Sequence, residues 1–158
     1  MIQHAFPFLV GLIGWIILTF LAPIAGFQAR PDAWFGRLNK PTWNPPSWIF
    51  TPVWTMLYLL MAIAAWLVWT RGGWHRQYVP LSLYVVQLFL NATWTPLFFG
   101  AHRPGLAFFD IVLMWLAILA TTIAFANVTI VAACFLIPYI AWVSFASVLN
   151  FTIWRLNS

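Results

Sequence analysis

Charged side chains are scarce in this sequence: only 6% of its 158 residues are Asp, Glu, Lys or Arg, and only two of these are acids. Soluble domains carry about 25% charged residues, most of them at the surface. Here 64% of the residues are hydrophobic instead. A soluble fold is therefore excluded, and the outer surface of the protein must face lipid.

The sequence also lacks the usual catalytic and metal-binding patterns. Cys134 is the single cysteine, so no disulfide can form within the chain. His4, His75 and His102 lie in three different loops or ends of the chain, which does not indicate a metal site. We find no Gly-rich phosphate loop, no nucleophile elbow and no paired carboxylates. The basic residues are scattered among loops, so no nucleic-acid partner is expected.

Long apolar runs take up most of the chain. About 20 residues of helix, at about 1.5 Å each, cross the roughly 30 Å hydrocarbon core of a bilayer. Lipid-exposed backbone must satisfy its own hydrogen bonds, and the runs lack the alternation of barrel strands. We therefore predict an all-α fold, a single domain over residues 1–158 that forms an integral membrane bundle of five transmembrane helices. The predicted helices are residues 6–27, 48–69, 78–100, 107–126 and 130–154.

The first gap, residues 28–47, differs from the other gaps because it is longer and mixes charges, aromatics and prolines. This mixture predicts an interfacial segment with a short helix at residues 31–38. With five spans, five Lys and Arg residues fall on the side of the first loop, third loop and C-terminus, and two fall on the other side. The positive-inside rule then predicts a cytoplasmic first loop and C-terminus.

Polar and aromatic side chains recur at helical spacing inside the runs. Gln87, Asn91 and Trp94 share one face of the third run, and either interhelical hydrogen bonding or a cavity wall explains them equally well. Trp54 and Trp142 each lie on a face with small residues, which describes a pocket for a flat apolar ligand, although plain packing produces the same pattern. Asp110 is expected near a helix N-terminus or the interface rather than in a proton relay.

Four stretches of the sequence carry a family resemblance. They are residues 40–48 (KPTWNPPSW), 52–58 (PVWTMLY), 87–100 (QLFLNATWTPLFFG) and 138–150 (PYIAWVSFASVLN). Together they resemble the translocator protein family, also called the tryptophan-rich sensory protein or peripheral-type benzodiazepine receptor family, from about residue 6 to residue 156. The resemblance implies a five-helix bundle, usually dimeric. Its cavity would open beneath the first loop and bind porphyrins, related tetrapyrroles and synthetic ligands of the benzodiazepine-receptor type.

The resemblance also implies which residues contact the ligand. By position in this sequence they are Phe35, Pro46, Phe50, Trp54, Tyr58, Asn91, Leu97, Asp110, Ile111, Trp142 and Ala146. No catalytic residue, metal or required cofactor is implied, and the tetrapyrrole would be a ligand held by shape and stacking. Phe151 stands where the family's sterol motif has a tyrosine, which argues against sterol binding. Because it lacks a long N-terminal extension, the sequence resembles bacterial members of the family more than plant members.

Three functions are compatible with this resemblance. The first is a membrane receptor for tetrapyrroles that acts in sensing, transport or scavenging, with the ring between Trp54 and Trp142 and its propionates near Arg30, Arg37 or Lys40. The second is an enzyme that degrades porphyrin in light. The third is a translocator of sterols or tetrapyrroles, which ranks below binding because the sequence shows no inverted repeat.

Overall fold

The computed structural model describes residues 2–26, 29 and 31–158, and this part of the chain is helical and contains no strand. The α-helices are α1 Ile2–Ala25, α2 Ala33–Arg37, α3 Phe50–Trp69, α4 Gly73–Arg76, α5 Tyr78–Thr95, α6 Pro104–Ala126 and α7 Ile130–Leu156. A 3-10 turn, Ser47–Ile49, precedes α3, and a π-helical turn, Pro96–Gly100, continues α5.

Four helical segments in the described chain are long and apolar enough to cross a membrane. They are Ser47–Trp69, Tyr78–Gly100, Pro104–Ala126 and Ile130–Leu156. The 24-residue helix α1 adds a shorter apolar stretch, Phe8–Ile24. Large apolar side chains such as Ile17, Phe89 and Leu113 point away from the bundle and are more than half exposed. The prediction of an all-α membrane bundle is thus confirmed for the described residues.

The five long helices form a closed ring in the order α1, α3, α7, α6, α5, and α5 returns to contact α1. Small side chains allow this close approach, since Ala62, Ala64 and Ala65 of α3 are fully buried. A hydrogen bond between Thr19 Oγ1 and Tyr84 Oη, 2.6 Å long, ties α1 to α5. The inside of the ring is therefore a packed core of side chains from all five helices.

The first loop folds back over one end of this ring, and we call its residues 31–46 the lid. Asp32 begins the short helix α2 because its carboxylate accepts hydrogen bonds from the backbone N–H groups of Trp34, at 3.0 Å, and Phe35, at 3.1 Å. The helix predicted in this loop is present and covers Ala33–Arg37. The lid is thus an ordered element that covers the ends of α5, α6 and α7.

The π-helical turn at the end of α5 brings aromatic side chains to the lid. Pro96 cannot donate a backbone hydrogen bond, and the Ala101 N–H bonds to the Pro96 carbonyl at 2.8 Å, five residues back. Within this widened turn, Phe98 is buried, and both Phe98 and Phe99 meet the Phe35 ring edge to face, with centroids 6.1 and 5.1 Å away. The irregular turn therefore fixes the position of α2.

Candidate functional site

The lid is fastened to the bundle at two points, one at its first residues and one near its middle. At the first end, Nε2 of His102 lies 3.1 Å from Oδ2 of Asp32, and the His102 ring stacks on the Trp34 indole. Farther along, the Asn39 N–H donates to Oδ1 of Asn157 at 2.9 Å, and Nδ2 of Asn157 donates to the Asn39 carbonyl at 2.9 Å. These contacts attach the lid to the segment that follows the π-helical turn and to the C-terminal end of α7.

Asp32 is the anionic group of the lid. The backbone hydrogen bond from Phe35 holds the pKa of this carboxyl below its usual value, and the neighbouring His102 and the N–H of Trp34 act in the same direction. Because the carboxylate also caps α2, its charge is favoured by the N-terminal end of that helix. Asp32 is therefore ionised whenever the lid is docked near neutral pH.

The cations predicted to meet ligand carboxylates differ in availability. Nζ of Lys40 donates to the carbonyls of Phe35 and Leu38 and lies 4.5 Å from the centroid of the Phe35 ring. Arg37, in the last turn of α2, is exposed. Arg30 lies outside the described residues. Lys40 thus holds the lid together, and Arg37 is the exposed cation beside it.

Below the lid lies a layer of aromatic rings from three parts of the chain. Trp43 of the lid meets Phe145 of α7 at a centroid distance of 5.9 Å. Phe145 contacts Trp142 at 5.5 Å, and Trp142 contacts Phe50 of α3 at 5.8 Å. One turn deeper, Trp54 stacks on Tyr58 at 5.4 Å with an interplanar angle of 27°. Aromatic rings therefore extend from the lid toward the centre of the bundle, and we call Trp43, Phe50, Trp54, Tyr58, Trp142 and Phe145 the aromatic wall.

A hydrogen-bonded network closes the lower end of this wall. The Tyr58 hydroxyl donates to Oδ1 of Asn91 at 2.8 Å, and Nδ2 of Asn91 donates to the Tyr139 hydroxyl at 3.2 Å. The Tyr139 hydroxyl in turn donates to Oε1 of Gln87 at 2.9 Å. All four side chains are buried, so the network links α3, α5 and α7 across the ring. The polar face of α5 thus serves interhelical hydrogen bonding at these positions.

Three buried polar atoms have no hydrogen-bond partner within the described chain. They are Nε1 of Trp142, Oδ2 of Asp110 and Nε2 of Gln87. Buried donors and acceptors are usually paired, so each of these atoms is a candidate contact for a ligand or an ordered water. Trp142 stands out because its N–H lies in the aromatic wall, whereas Gln87 belongs to the network below.

A sequence model of the TspO/MBR family matches residues 5–155. The chain belongs to this family. It is 46% identical over 134 residues to the tryptophan-rich protein TspO of Chlorobaculum tepidum, with 83% of this chain and 84% of that protein covered. It is 45% identical over 126 residues to the human translocator protein, covering 78% and 75% of the two chains. It is 41% identical over 147 residues to the tryptophan-rich sensory protein of Cereibacter sphaeroides, covering 90% and 91%.

The family resemblance drawn from the four sequence stretches is thereby confirmed, and the structure shows where this TspO/MBR protein places the implied ligand residues. Trp54, Tyr58, Ile111, Trp142 and Ala146 pack in or against one core cluster. The other implied ligand residues lie elsewhere. Phe35, Phe50 and Leu97 pack against a second buried cluster beneath the lid, formed by Phe98, Ala107, Leu149 and Ile153. Asn91 lies in the polar network, and Pro46 is an exposed residue just before the 3-10 turn.

Asp110 occupies a different environment from the aromatic residues of this TspO/MBR protein. It lies in the second turn of α6, and its Oδ1 accepts a hydrogen bond of 2.8 Å from the Thr93 hydroxyl of α5. Its position near the helix N-terminus agrees with the sequence expectation. The carboxyl group is therefore part of the α5–α6 contact.

Two grooves of this family member open on the outer surface of the described chain, and neither is lined by an implied ligand residue. One, of about 510 Å³, lies between α6 and α7. The other, of about 230 Å³, lies at the opposite end of the bundle from the lid and is lined by Phe8, Trp69 and residues 70–73.

Sequence reasoning about this TspO/MBR protein missed two groups of residues. Tyr139 was noted only as part of a family stretch, although its hydroxyl contacts both Asn91 and Gln87. Its position three residues before Trp142, on the same helical face, is the signal that could have indicated an inward orientation. The Asp32–His102 pair gave no signal, because 70 residues separate its members.

Proposed function

We propose that this protein is a membrane receptor for porphyrins and related tetrapyrroles that acts in tetrapyrrole sensing, transport or scavenging. The observation that carries the proposal is the buried, unpartnered Nε1–H of Trp142 within the described chain. This donor lies in a wall of aromatic rings beneath the lid, next to Phe50 and Phe145. Flat apolar ligands with a few polar groups are held by such walls with a small number of directed donors.

The lid would supply the charge that complements the propionates of a tetrapyrrole. Arg37 is exposed on α2, and its planar guanidinium pairs well with a carboxylate. Lys40 would join only after giving up its bonds to the carbonyls of Phe35 and Leu38. We therefore assign the first carboxylate contact to Arg37.

Binding would require a change of conformation. Trp142 and its aromatic neighbours are in contact with one another, and the lid covers them from above. A macrocycle would enter where the lid separates from α7 and the rings move apart. Apparent affinity would then fall in proportion to the fraction of molecules in the open form.

The test is a tryptophan-fluorescence titration of the protein in lipid nanodiscs with protoporphyrin IX, in the dark. We expect saturable quenching in the wild type and an affinity about two- to ten-fold weaker in Trp142→Phe, which keeps a ring but loses the donor. Trp74→Phe is the matched control, because Trp74 is exposed at the other end of the bundle. Quenching that does not saturate, or that is the same in both variants and the wild type, would contradict the proposal.

A second candidate function is light-driven degradation of the bound porphyrin. Three oxidisable rings adjoin one another, since Trp54 lies 5.4 Å from Tyr58 and 6.2 Å from Tyr139 by centroid distance. Such a chain could lend an electron to an excited porphyrin, and dioxygen would then add to the reduced macrocycle. The adduct would return the electron to the oxidised side chain as the macrocycle opens, so that both oxygen atoms end in the product and no other oxidant or reductant is consumed. This function requires a new absorbing product that forms under light faster than in free porphyrin and that depends on Trp54.

We also propose that the lid and the C-terminus face the cytoplasm of a bacterial cell and that the protein forms a homodimer. The charge asymmetry of the loops supports the orientation. In a Cys134→Ser background, a cysteine at exposed position Gly36 should resist a membrane-impermeant maleimide in intact cells and react after lysis. Labelling in intact cells would place the lid outside, and a monomer mass in nanodiscs would contradict the dimer.

A further inference from the structure

We propose that Asp32 and His102 form a pH-sensitive latch that holds the lid more tightly at pH 5.5 than at pH 8.0, because an imidazolium bonds a carboxylate more strongly than a neutral imidazole does. The latch would control access to the interior site. That consequence rests on the proposed function, whereas the latch itself does not depend on any ligand.

The first part of the latch is a carboxylate held in a fixed orientation. Oδ1 of Asp32 accepts the N–H groups of Trp34 and Phe35, so its other oxygen, Oδ2, is left to face His102 Nε2 at 3.1 Å. A neutral imidazole can make this contact in only one of its two tautomers. An imidazolium donates from Nε2 in every case and adds charge attraction.

The second part of the latch is a ring stack. The imidazole of His102 lies over the Trp34 indole with centroids 4.3 Å apart and an interplanar angle of 16°. A cation over an indole face is attracted by the negative charge density of that face. Protonation of His102 therefore strengthens both contacts with the lid, and both changes favour the docked state.

The backbone of His102 adopts an unusual conformation at the point where its imidazole contacts the lid. His102 has φ of 55°, and it is the single non-glycine residue with positive φ in the described chain. This left-handed conformation is uncommon for side chains other than Asn, Asp and His. It occurs directly after the π-helical turn that fixes Phe98 and Phe99 against the lid.

The charged groups around the latch leave Asp32 as the counter-ion of His102. The chain's other acid, Asp110, is bonded to Thr93 inside the bundle. Of the nearby cations, Arg103 follows in the chain, Arg37 ends α2, and Lys40 is bonded to lid carbonyls. Because the hydrogen bond from Phe35 lowers the pKa of Asp32, this carboxylate stays ionised at both pH values.

The test is hydrogen–deuterium exchange of the ligand-free, full-length protein in nanodiscs at pH 8.0, 7.0 and 5.5, corrected for the intrinsic pH dependence of exchange. The amides that report on the latch are those of Trp34 and Phe35, which are bonded to Asp32. For a solvent-exposed ion pair, we expect their protection to rise about two- to five-fold from pH 8.0 to pH 5.5.

Two variants keep the structure and remove one partner each. His102→Asn tolerates the left-handed backbone but cannot gain a proton, and Asp32→Asn keeps a good cap for α2 but loses the charge. Both should abolish the rise in protection. His75→Asn, at the far end of the bundle, should behave like the wild type. Wild-type protection that does not change with pH, or a rise that persists in His102→Asn, would overturn the latch.

A failure of the latch can be told apart from a failure of the proposed function, because the exchange experiment contains no tetrapyrrole. If the latch is present but Trp142→Phe leaves porphyrin affinity unchanged, the lid is regulated and the ligand assignment is wrong. If exchange is independent of pH but the affinity falls in Trp142→Phe, the interior site stands and the latch does not.

Discussion

The side chain of Asn157 bonds both the N–H and the carbonyl of Asn39, and so joins the C-terminal end of α7 to the lid by two hydrogen bonds of 2.9 Å each. This pair of hydrogen bonds is specific, because it needs a donor and an acceptor at a fixed spacing. Asn39 lies near the middle of the lid, seven residues after Asp32, so this pair is the second attachment point of the lid.

Replacement of this amide should loosen the lid without unfolding the bundle. In Asn157→Ala both bonds to Asn39 are lost, and we expect about 1 kcal/mol less stability of the docked lid, or about five-fold more opening. Hydrogen–deuterium exchange of residues 38–44 measures this change. Asn127→Ala, at the exposed end of α6 on the other side, is the control and should leave lid exchange unchanged.

The polar network should contribute to the stability of the helix ring. Tyr139→Phe removes the hydroxyl that joins Asn91 to Gln87 and leaves both amides without that partner. Because hydrogen bonds between membrane helices are worth about 0.6 kcal/mol on average, we expect a loss of about 1 kcal/mol. Thermal unfolding in detergent measures it, and Tyr78→Phe, which changes an exposed tyrosine, should have no effect. Equal unfolding temperatures for the two variants would mean that the network adds no stability.

A pair of glycines on α1 offers a matched test of the α1–α3 contact. A Cβ at Gly11 would collide with the ring of Trp69, whereas a Cβ at Gly14 would meet no atom within 4 Å. We expect Gly11→Ala to destabilise the bundle by about 1–3 kcal/mol through overpacking. Gly14→Ala should be neutral or slightly stabilising, since alanine favours helix. Thermal unfolding of the two variants side by side decides this, and a tolerated Gly11→Ala would contradict the packing of α1 on α3.

Docking of the lid should also fail in strong acid. The docked lid lowers the pKa of Asp32, mainly through the hydrogen bond from Phe35, so the carboxylate stabilises docking above its ordinary pKa. As the pH falls through the lowered pKa, this stabilisation is lost. Lid exchange, corrected for the intrinsic pH dependence of amide exchange, should therefore be slowest at mildly acidic pH and rise again below about pH 4. In Asp32→Asn the acid-induced rise should be absent.

The membrane bundle and the lid helix could be predicted from the sequence, because their causes are local. Apolar runs of about 20 residues require helices in lipid whatever their neighbours are. Asp32 directly before residues 33–37 is a local N-cap signal for the start of a helix. The contacts of the lid could not be predicted in this way. Asn39 meets Asn157 across 118 residues, and no local pattern relates them.

For the interior residues, the sequence pattern alone does not distinguish between the possible roles of a side chain. The spacing of Gln87 and Asn91 correctly predicts a shared face, but hydrogen bonding and a cavity wall require the same spacing. The choice depended on Tyr58 and Tyr139, which reach these amides from two other helices. Whether Trp142 binds a ligand or only packs is likewise not contained in its spacing, and the assignment of ligand residues stays a prediction.

The most direct test of the tetrapyrrole site observes the Trp142 donor itself. In protein labelled with ¹⁵N-tryptophan and held in nanodiscs, Trp142→Phe identifies the Trp142 Nε1–H signal among the twelve indoles. Titration with protoporphyrin IX in the dark should shift this signal in a saturable way and leave that of Trp74 in place. A Trp142 signal that does not move while porphyrin binds elsewhere would contradict the account.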